Sequence, residues 1–361
     1  FLDMQVIVVG AGLSALVCAL RLLEDETIAP LSITIVEGRN RVGGRLYNTA
    51  SSVDLGAAWT WPAHDVRLGA LADQFGIKRH PQQNDGADVV QRSGRFVQGT
   101  TNWSRGTWRF EGGTAALTDA IAKRLRQLGC EFLFSHVVTE VRVRDGDATV
   151  GGIVAESKAP FVLTAHAVVL AAPPRAIASR VSFHPPLKDE MLRVMRATPT
   201  WMANMAKVVW RYPSPWWRTR GLSGAAMLEG PLVQVWDNTF TNTDGTQVHA
   251  LAAFVPSEDM ATQSALTKCL ADAFGDEAHS ASAVEVQNWS REELTADGAT
   301  EPGSTHFGHP ALHQSHAERL WLGGTETEPG ESGHMEGAVK SGERIAAAVG
   351  SALKSMHKAE L

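Results

Sequence analysis

A glycine turn between two short apolar runs constrains this chain more than any other feature. Met4–Val9 (MQVIVV) is β-branched and apolar and stops at Gly10, the pattern of a strand buried in a parallel sheet. Gly10-Ala11-Gly12-Leu13-Ser14-Ala15 follows, and Leu16, Ala19, Leu20 and Leu23 then fall on one helical face. Ser32–Val36 (SITIV) predicts a second strand, ending at Glu37. Gly10 permits the tight turn, and Gly12 lets backbone approach a pyrophosphate with no Cβ in the way. The N–H groups at the helix start, around Leu13 and Ser14, point at the anion. Glu37 can accept hydrogen bonds from both hydroxyls of an adenosine ribose, and its charge disfavours a 2′-phosphate. Ala15 replaces the third glycine and still allows close helix–strand packing. In this strand–helix–strand–acid setting the pattern is read as a dinucleotide site rather than an ordinary glycine turn.

The fingerprint alone does not separate NAD from FAD. It is followed directly by Glu37-Gly38-Arg39-Asn40-Arg41-Val42-Gly43-Gly44-Arg45. Arg39 and Arg45 can reach phosphates, and Gly43-Gly44 lets backbone come close to a bulky cofactor. Far along the chain, Leu320–Thr327 (LWLGGTET) and Ser332–Ala338 (SGHMEGA) read as a strand, a turn and a helix starting near Met335. Along that helix Val339, Ile345, Ala346, Val349, Leu353 and Met356 trace an apolar stripe. A plain helix capped by Ser332-Gly333 would give the same local pattern. Thr200–Tyr212 reads as a strand with Lys207 inside an apolar stretch. A lysine there costs several kcal/mol unless it is paired, wetted or neutral, and a snorkelling or edge-strand lysine is the alternative.

The segments at 37–45, 53–59 (VDLGAAW), 205–218 (MAKVVWRYPSPWWR), 324–327 (GTET) and 333–338 (GHMEGA) closely resemble the flavin-containing amine oxidase family, which includes monoamine, polyamine and L-amino-acid oxidases. The likeness continues through Phe110–Gly113, Val137–Val141 and Ala167–Pro174. It implies an FAD cofactor with Gly56, Ala57 and Ala58 beside the flavin ring. Gly324, Thr325 and Glu326 would lie at the ribitol, and Gly333, Met335 and Ala338 at the pyrimidine edge. Val138 would meet the adenine, and Trp289 belongs to an Asn-Trp motif at the flavin. Lys207 matches the lysine that holds a water against flavin N5. The implied chemistry is oxidation of a C–H bond next to an amine nitrogen, hydrolysis of the imine, and reoxidation by O2 to give hydrogen peroxide.

Three departures stand beside that likeness. No cysteine follows Asn288-Trp289, so FAD is expected to be noncovalent. The two tyrosines of the family's substrate cage fall at His334 and near Ala299, and Tyr47 and Tyr212 are the only tyrosines in the chain. His334 and Trp59 are therefore taken, with Lys207, as the candidate catalytic residues. His334 is an imidazole able to titrate near neutral pH, or a ring that only packs. Only RFVQGTTNWSRGTWRFE intervenes between Gly94 and Gly112, where the family carries a helical roof. The cavity is then shallow, open, or completed by another subunit.

The remaining signals are bounded by composition. Against 33 basic residues stand 39 acidic ones, a formal charge of -6, which argues against nucleic-acid or anionic-membrane partners. Cys18, Cys130 and Cys269 are far apart, so no disulfide framework is expected and a reducing, cytoplasmic setting is the default. No apolar run reaches the roughly 18–20 residues of a membrane span. Gly10 and Gly12 break the first apolar run, so it is not read as a signal peptide, and Met4 is a candidate start after Phe1-Leu2-Asp3. His306, His309, His313 and His316 have metal-ligand-like spacing, but Pro310 and Gly308 spoil a helix there and no metal is expected. Among the tryptophans, Trp236-Asp237 is the best pocket candidate. No GxSxG elbow or phosphate-binding Walker loop is present.

The expected fold is α/β, a Rossmann-like FAD-binding domain assembled from 1–78, 107–196 and 292–361, with a smaller mixed-sheet substrate domain from 79–106 and 197–291. The expected function is FAD-dependent oxidation of a small-molecule amine, with O2 as electron acceptor and an oligomer possible. A flavin dehydrogenase, desaturase or renalase-like oxidase acting on C–C bonds or dihydro-compounds, and a degenerate member using FAD structurally, are the alternatives.

Overall fold

The computed structural model describes residues 3–28, 30–49, 53–101, 103–242, 244–296 and 306–360. The chain divides into two compact units. One comprises Phe1–Arg45, Leu117–Trp201 and Glu293–Leu361, the other Leu46–Ala116 and Met202–Glu292.

The first unit is built on a parallel five-stranded sheet. Its order is Leu320–Leu322, Ala167–Leu170, Met4–Val9, Leu31–Val36, Glu131–Leu133. Met4–Val9 is central, and the register sets Val9 beside both Val36 and Leu170. The apolar character of these strands follows from that position, since both faces are covered. The chain leaves Met4–Val9 for Leu31–Val36 on one side and reaches Ala167–Leu170 on the other, so the strand order reverses at its carboxyl end. That is where open parallel sheets bind ligands. Helix Leu13–Glu24 starts at this point and packs closely on helix Met335–Glu360. A Cβ on Gly342 would lie 2.7 Å from the Ser14 carbonyl oxygen. A second sheet, Pro160–Ala165, Ala148–Val154, His136–Val143 and Ser182–His184, is antiparallel except for its last pair. It shares a core with the first through Val141, Val150, Leu170, Ile177, Met191 and Leu320.

The second unit carries a mixed sheet ordered Ala283–Asn288, Met205–Tyr212, Gln247–Pro256, Gln234–Asp237, Leu222–Met227, Ala87–Arg92, Arg95–Gly99. Its pairs are antiparallel except Leu222–Met227 with Ala87–Arg92. Strand alternation divides Met205–Tyr212 cleanly. Ala206, Val208, Trp210 and Tyr212 join one apolar cluster with Leu266, Leu270 and Phe274 of helix Gln263–Phe274. Val209 faces the other way, among Val53, Leu55, Trp236 and Ala252. Lys207 has the same parity as Val209. The strand begins at Met205 rather than Thr200, because Trp201–Asn204 form a turn with Met202 at φ +59.

The unit boundaries fall at 45/46 and 116/117, where 78/79 and 106/107 were expected. Hydrogen bonding gives the reason. Asn48 donates to the Gly112 carbonyl (3.0 Å), and Thr60 and Trp108 exchange backbone bonds. Asp54 pairs with Arg109. Residues 46–78 thus find their partners in the second unit. Among the described residues, no helix is long and apolar enough to cross a membrane.

Candidate active site

In the first unit the turn after Met4–Val9 is shaped by what glycine permits. Gly10 sits at φ +102, and a Cβ there would lie 2.7 Å from the Ala171 carbonyl oxygen. Gly12 caps helix Leu13–Glu24 in extended conformation, with no side-chain cap and no acidic residue in the first turn. Among the described residues, a Cβ on Gly12 would meet no atom within 4 Å beyond its own chain neighbours. An open space at an uncapped helix start is what a diphosphate needs. Gly43 and Gly44 close one wall: the Gly43 N–H donates to the Ala11 carbonyl at 2.8 Å, and Gly44 is at φ +58 against the Gly12 Cα.

Glu37 is buried at the end of its strand. Its Oε2 accepts from the Ala11 N–H and its Oε1 from the Arg39 N–H, both at 2.8 Å. These bonds fix the carboxylate and leave lone pairs for a ribose. Arg39 donates to Thr295 Oγ1 at 2.7 Å. Val138 is buried on strand His136–Val143, beside a register shift between Val138 and Glu140.

The distant GTET segment lies against this turn. The Gly324 N–H donates to Ser14 Oγ at 3.3 Å and to Ser341 Oγ at 3.1 Å, across 310 positions in the first case. Thr325 Oγ1 donates to the His334 carbonyl at 2.7 Å, which ties GTET to the start of helix Met335–Glu360. Met335 and Ala338 are buried there. Glu326 is fully buried, and its oxygens take both arms of Arg45, at 2.7 and 2.9 Å. Arg45 therefore engages Glu326 as a bidentate fork. The same carboxylate accepts from the Trp201 N–H at 3.1 Å, and the Trp201 carbonyl accepts from Arg45 at 3.3 Å. Trp201 packs on Gly333, and its ring centroid lies 5.6 Å from that of His334. It is 41% exposed yet pinned on both backbone sides. Ala299 lies outside the described residues.

In the second unit Lys207 is fully buried and donates to the Gly56 carbonyl at 3.1 Å. Its Nζ sits 5.1 Å from the Trp236 ring centroid. Burial chiefly pulls its pKa from 10.5 to about 7; Asp54 pulls it up and Arg109 pushes it down. Trp59 stands in an aromatic group with Trp236 (4.7 Å between centroids), Trp103 (5.5 Å) and Phe254 (6.0 Å). Ala57 accepts from Thr114 Oγ1 at 3.0 Å, and Ala58 is buried. Trp289 donates its indole N–H to the Leu55 carbonyl at 3.0 Å, so it braces the Val53–Gly56 loop. Neither tyrosine can pair with the other: Tyr212 donates to the Ala278 carbonyl and packs on Trp216 and Trp217, while Tyr47 packs near Val53.

The histidine run is a single 3-10 turn, Pro310–His313, rather than a ligand-bearing helix. His309 accepts from the Ala311 N–H and His313 bonds to the Thr327 carbonyl. Among the described residues no group of three His, Cys, Asp or Glu could hold a metal. Asp237 is a structural anchor, accepting from Trp217, Arg218 and the Thr239 N–H. Cys18 and Cys130 are buried thiols with pKa values pushed up to about 12 by desolvation.

Two residues escaped sequence reasoning: Arg109 and Asp54 form a buried ion pair at 3.0 Å. Trp201, one of the tryptophans concentrated between 201 and 236, presents an aromatic face beside His334. An arginine alternating between Trp108 and Phe110 was the one available hint of an inward-facing charge.

The parallel sheet, the glycine turn at its switch point and the Glu37 carboxylate fixed beside that turn define a dinucleotide-binding α/β fold. A family model described as flavin containing amine oxidoreductase matches residues 99–350, and one for an NAD(P)-binding Rossmann-like domain matches residues 8–75. The chain belongs to the flavin-containing amine oxidoreductase family and is a flavin-dependent oxidoreductase. It is 27% identical to AofH of Mycobacterium tuberculosis, which carries the name flavin-containing monoamine oxidase, over 97% of each chain. That alignment runs over 463 positions, more than the 361 residues here, so AofH has stretches without a counterpart in this chain. Among solved structures the fold is similar to putrescine oxidase bound to putrescine (TM-score 0.79, 20% identity, 96% of this chain and 98% of that one). It is also similar to cyclohexylamine oxidase from Brevibacterium oxydans (TM-score 0.80, 19% identity, 97% and 99%).

Proposed function

We propose that this protein is an FAD-dependent oxidase of small-molecule amines that holds its flavin noncovalently. The observation that carries this reading is the meeting, in one unit, of the Gly10–Gly12 turn and the Gly324–Thr327 segment through the Ser14–Gly324 hydrogen bond. Gly12 offers an open helix start to a diphosphate, Glu37 offers lone pairs to a ribose, and Thr325 with the 333–338 helix start suits the flavin end. FAD, when bound, supplies the acceptor for a hydride equivalent from the carbon beside the amine nitrogen, and O2 then takes the electrons to give hydrogen peroxide.

The chain's own residues do the rest. Lys207, with a pKa near neutrality, can hold a water through its amine and carry a proton during hydrolysis of the imine product. Trp59 and the rings around it keep bulk solvent from the lysine, and Trp201, beside His334, offers an aromatic face to an approaching ammonium group. The pattern after Asn288-Trp289 lacks a cysteine for flavin attachment.

Purified protein should be yellow, with flavin released by acid. Anaerobic bleaching by a panel of amines, amino acids and reduced nicotinamides tests the substrate class. Protein without flavin, or flavin bleached only by non-amines, would overturn the reading. One observation favours a second reading, a flavin dehydrogenase acting on C–C bonds or dihydro-compounds: the tyrosine pair expected around an amine is replaced at His334 and cannot be formed by Tyr47 and Tyr212. The same panel separates the two.

A further inference from the structure

Three ionisable side chains of the second unit are shut away from water together. Lys207, Arg109 and Asp54 are each 1% exposed. They bring two potential positive charges to one negative charge. The carboxylate is already partnered: Oδ2 accepts from Arg109 Nη2 at 3.0 Å, and Oδ1 accepts from the Thr114 N–H at 2.8 Å and shares the Thr114 hydroxyl, 3.0 Å away, with the Ala57 carbonyl. Arg109 Nη1 donates to Asn238 Oδ1 at 2.7 Å. Lys207 is left with neutral neighbours, the Gly56 carbonyl at 3.1 Å and the Trp236 ring. Asp54 and Gly56 lie two residues apart on one loop, so the bonds that fix the carboxylate also fix the carbonyl that holds the lysine.

We propose that the Asp54–Arg109 ion pair is a positioning and charge-setting device for Lys207, built so that the lysine is denied a carboxylate partner. The proposal rests on the reading of Lys207 as a working residue in amine oxidation. A guanidinium keeps its proton inside proteins, whereas a buried ammonium gives its proton up. Asp237, whose charge also acts on Arg109, is itself paired with Arg218 at 2.8 Å, so the dry cluster keeps one positive charge too many and sheds it at Lys207. Arg109 contributes twice, by repelling the ammonium and by holding Asp54 away from it. The cross-strand neighbours of Lys207, Phe254 and Gln287, are uncharged. Glu292 lies beyond Gln287, which donates to it at 3.0 Å. Among the described groups, Asp54 and Arg109 are the charges whose fields act on the lysine. Both are positioning residues.

The test uses the flavin-loaded protein and the amine that bleaches it fastest. The rate of anaerobic flavin reduction is followed against pH, and the melting midpoint of the same samples against pH without amine. Arg109→Gln removes the repelling charge and frees Asp54, so Lys207 keeps its proton longer. Its limb in both profiles should move to higher pH, by about one unit or more. Asp54→Asn should move the limb the other way. Arg109→Lys restores a cation beside Asp54, but as a buried ammonium it can itself shed the surplus proton, so its limb should move up by less than that of Arg109→Gln. A merely structural pair would lower rates and melting points without opposite displacements. Displacement of both single variants in one direction, no displacement, or equal displacement in Arg109→Lys and Arg109→Gln would overturn the proposal. Should Asp54→Asn fail to fold, the two Arg109 variants decide. Lys207→Met separates this from the underlying reading: a limb that survives in Lys207→Met shows that the lysine is not the titrating group, whatever the ion pair does.

Discussion

In the unit built on the parallel sheet, the surfaces we propose for a dinucleotide are main chain: Gly10, Gly12, Gly43, Gly44 and Gly324, with amides at a helix start. In the unit built on the mixed sheet, the groups we propose for the chemistry are side chains: Lys207, Asp54, Arg109, Trp59 and Trp236. The first arrangement needs the absence of atoms, since a Cβ at Gly12 would enter open space while one at Gly10 would strike the Ala171 carbonyl. The second needs the presence of charges in a dry place, where each is costly unless another answers it. A cradle of glycines can therefore lose its ligand without losing its fold. A buried charge cluster cannot lose a member so cheaply.

Asp54→Ala should give the largest effect. It strips the carboxylate from Arg109 and leaves a buried guanidinium with Asn238 as its remaining side-chain partner. Removing one partner of a buried ion pair costs about 3–5 kcal/mol, and urea unfolding should show it. A loss below about 1 kcal/mol would mean that water reaches Arg109 and that the dry side of the comparison is wrong.

Lys207→Met comes next and has a sign that depends on pH. The lysine has a folded pKa of about 7 and an unfolded value near 10.5. The unfolded chain thus binds more protons between those values, and wild-type stability rises with pH across that window. The contribution is fully present above about 10.5 and is lost as pH falls through about 7. Met carries no such cost, so the variant should be more stable than wild type by a few kcal/mol at and below neutral pH, less the bond to Gly56. The gap should close as pH climbs toward 10.5. Thermal melts at several pH values read this directly, and a gap constant with pH would show that Lys207 stays charged in the fold.

Gly10→Ala tests the main-chain side. Its φ of +102 costs a non-glycine residue about 1–3 kcal/mol, and the Ala171 carbonyl must move in addition. Both stability and flavin content should fall. Normal stability with normal flavin would mean that the turn is not held as described.

The difference between the units also sets what a sequence can reveal. The glycine turn, the strands around it and Glu37 were readable because each constraint is local: a φ value, a missing Cβ, a run of β-branched residues. The link to GTET spans 310 positions and came only from resemblance, as did the role expected of Lys207, whose place inside an apolar stretch was legible in the residues. Arg109 and Asp54 were not readable as a pair. They are 55 positions apart, and nothing in WRF or VDLG says that each answers the other. The unit boundary near residue 45 has no local sign for the same reason: residues 46–78 carry no break in composition, and their allegiance is decided by bonds to Trp108, Gly112 and Thr114. The histidine run misleads in the opposite direction, since regular spacing counts for little once Pro310 reduces the segment to one turn.

Gly12→Ala should have the smallest effect on the fold and the sharpest meaning. The residue is extended, at φ -75 and ψ 172, a conformation open to any amino acid. Among the described residues, its added methyl would meet no atom within 4 Å beyond its own chain neighbours. Alanine is a poorer helix cap than glycine by roughly 1 kcal/mol or less, so the melting midpoint of the flavin-free protein should barely move. The methyl does, however, occupy the space proposed for the diphosphate. Flavin content after purification and on reconstitution with FAD should drop at least about tenfold, which corresponds to about 1.4 kcal/mol of binding. Set beside Gly10→Ala, which harms fold and cofactor together, this variant would separate a glycine kept for the chain's sake from one kept for the ligand's. Full flavin content in Gly12→Ala would place the diphosphate elsewhere and remove the main-chain half of the contrast between the two units.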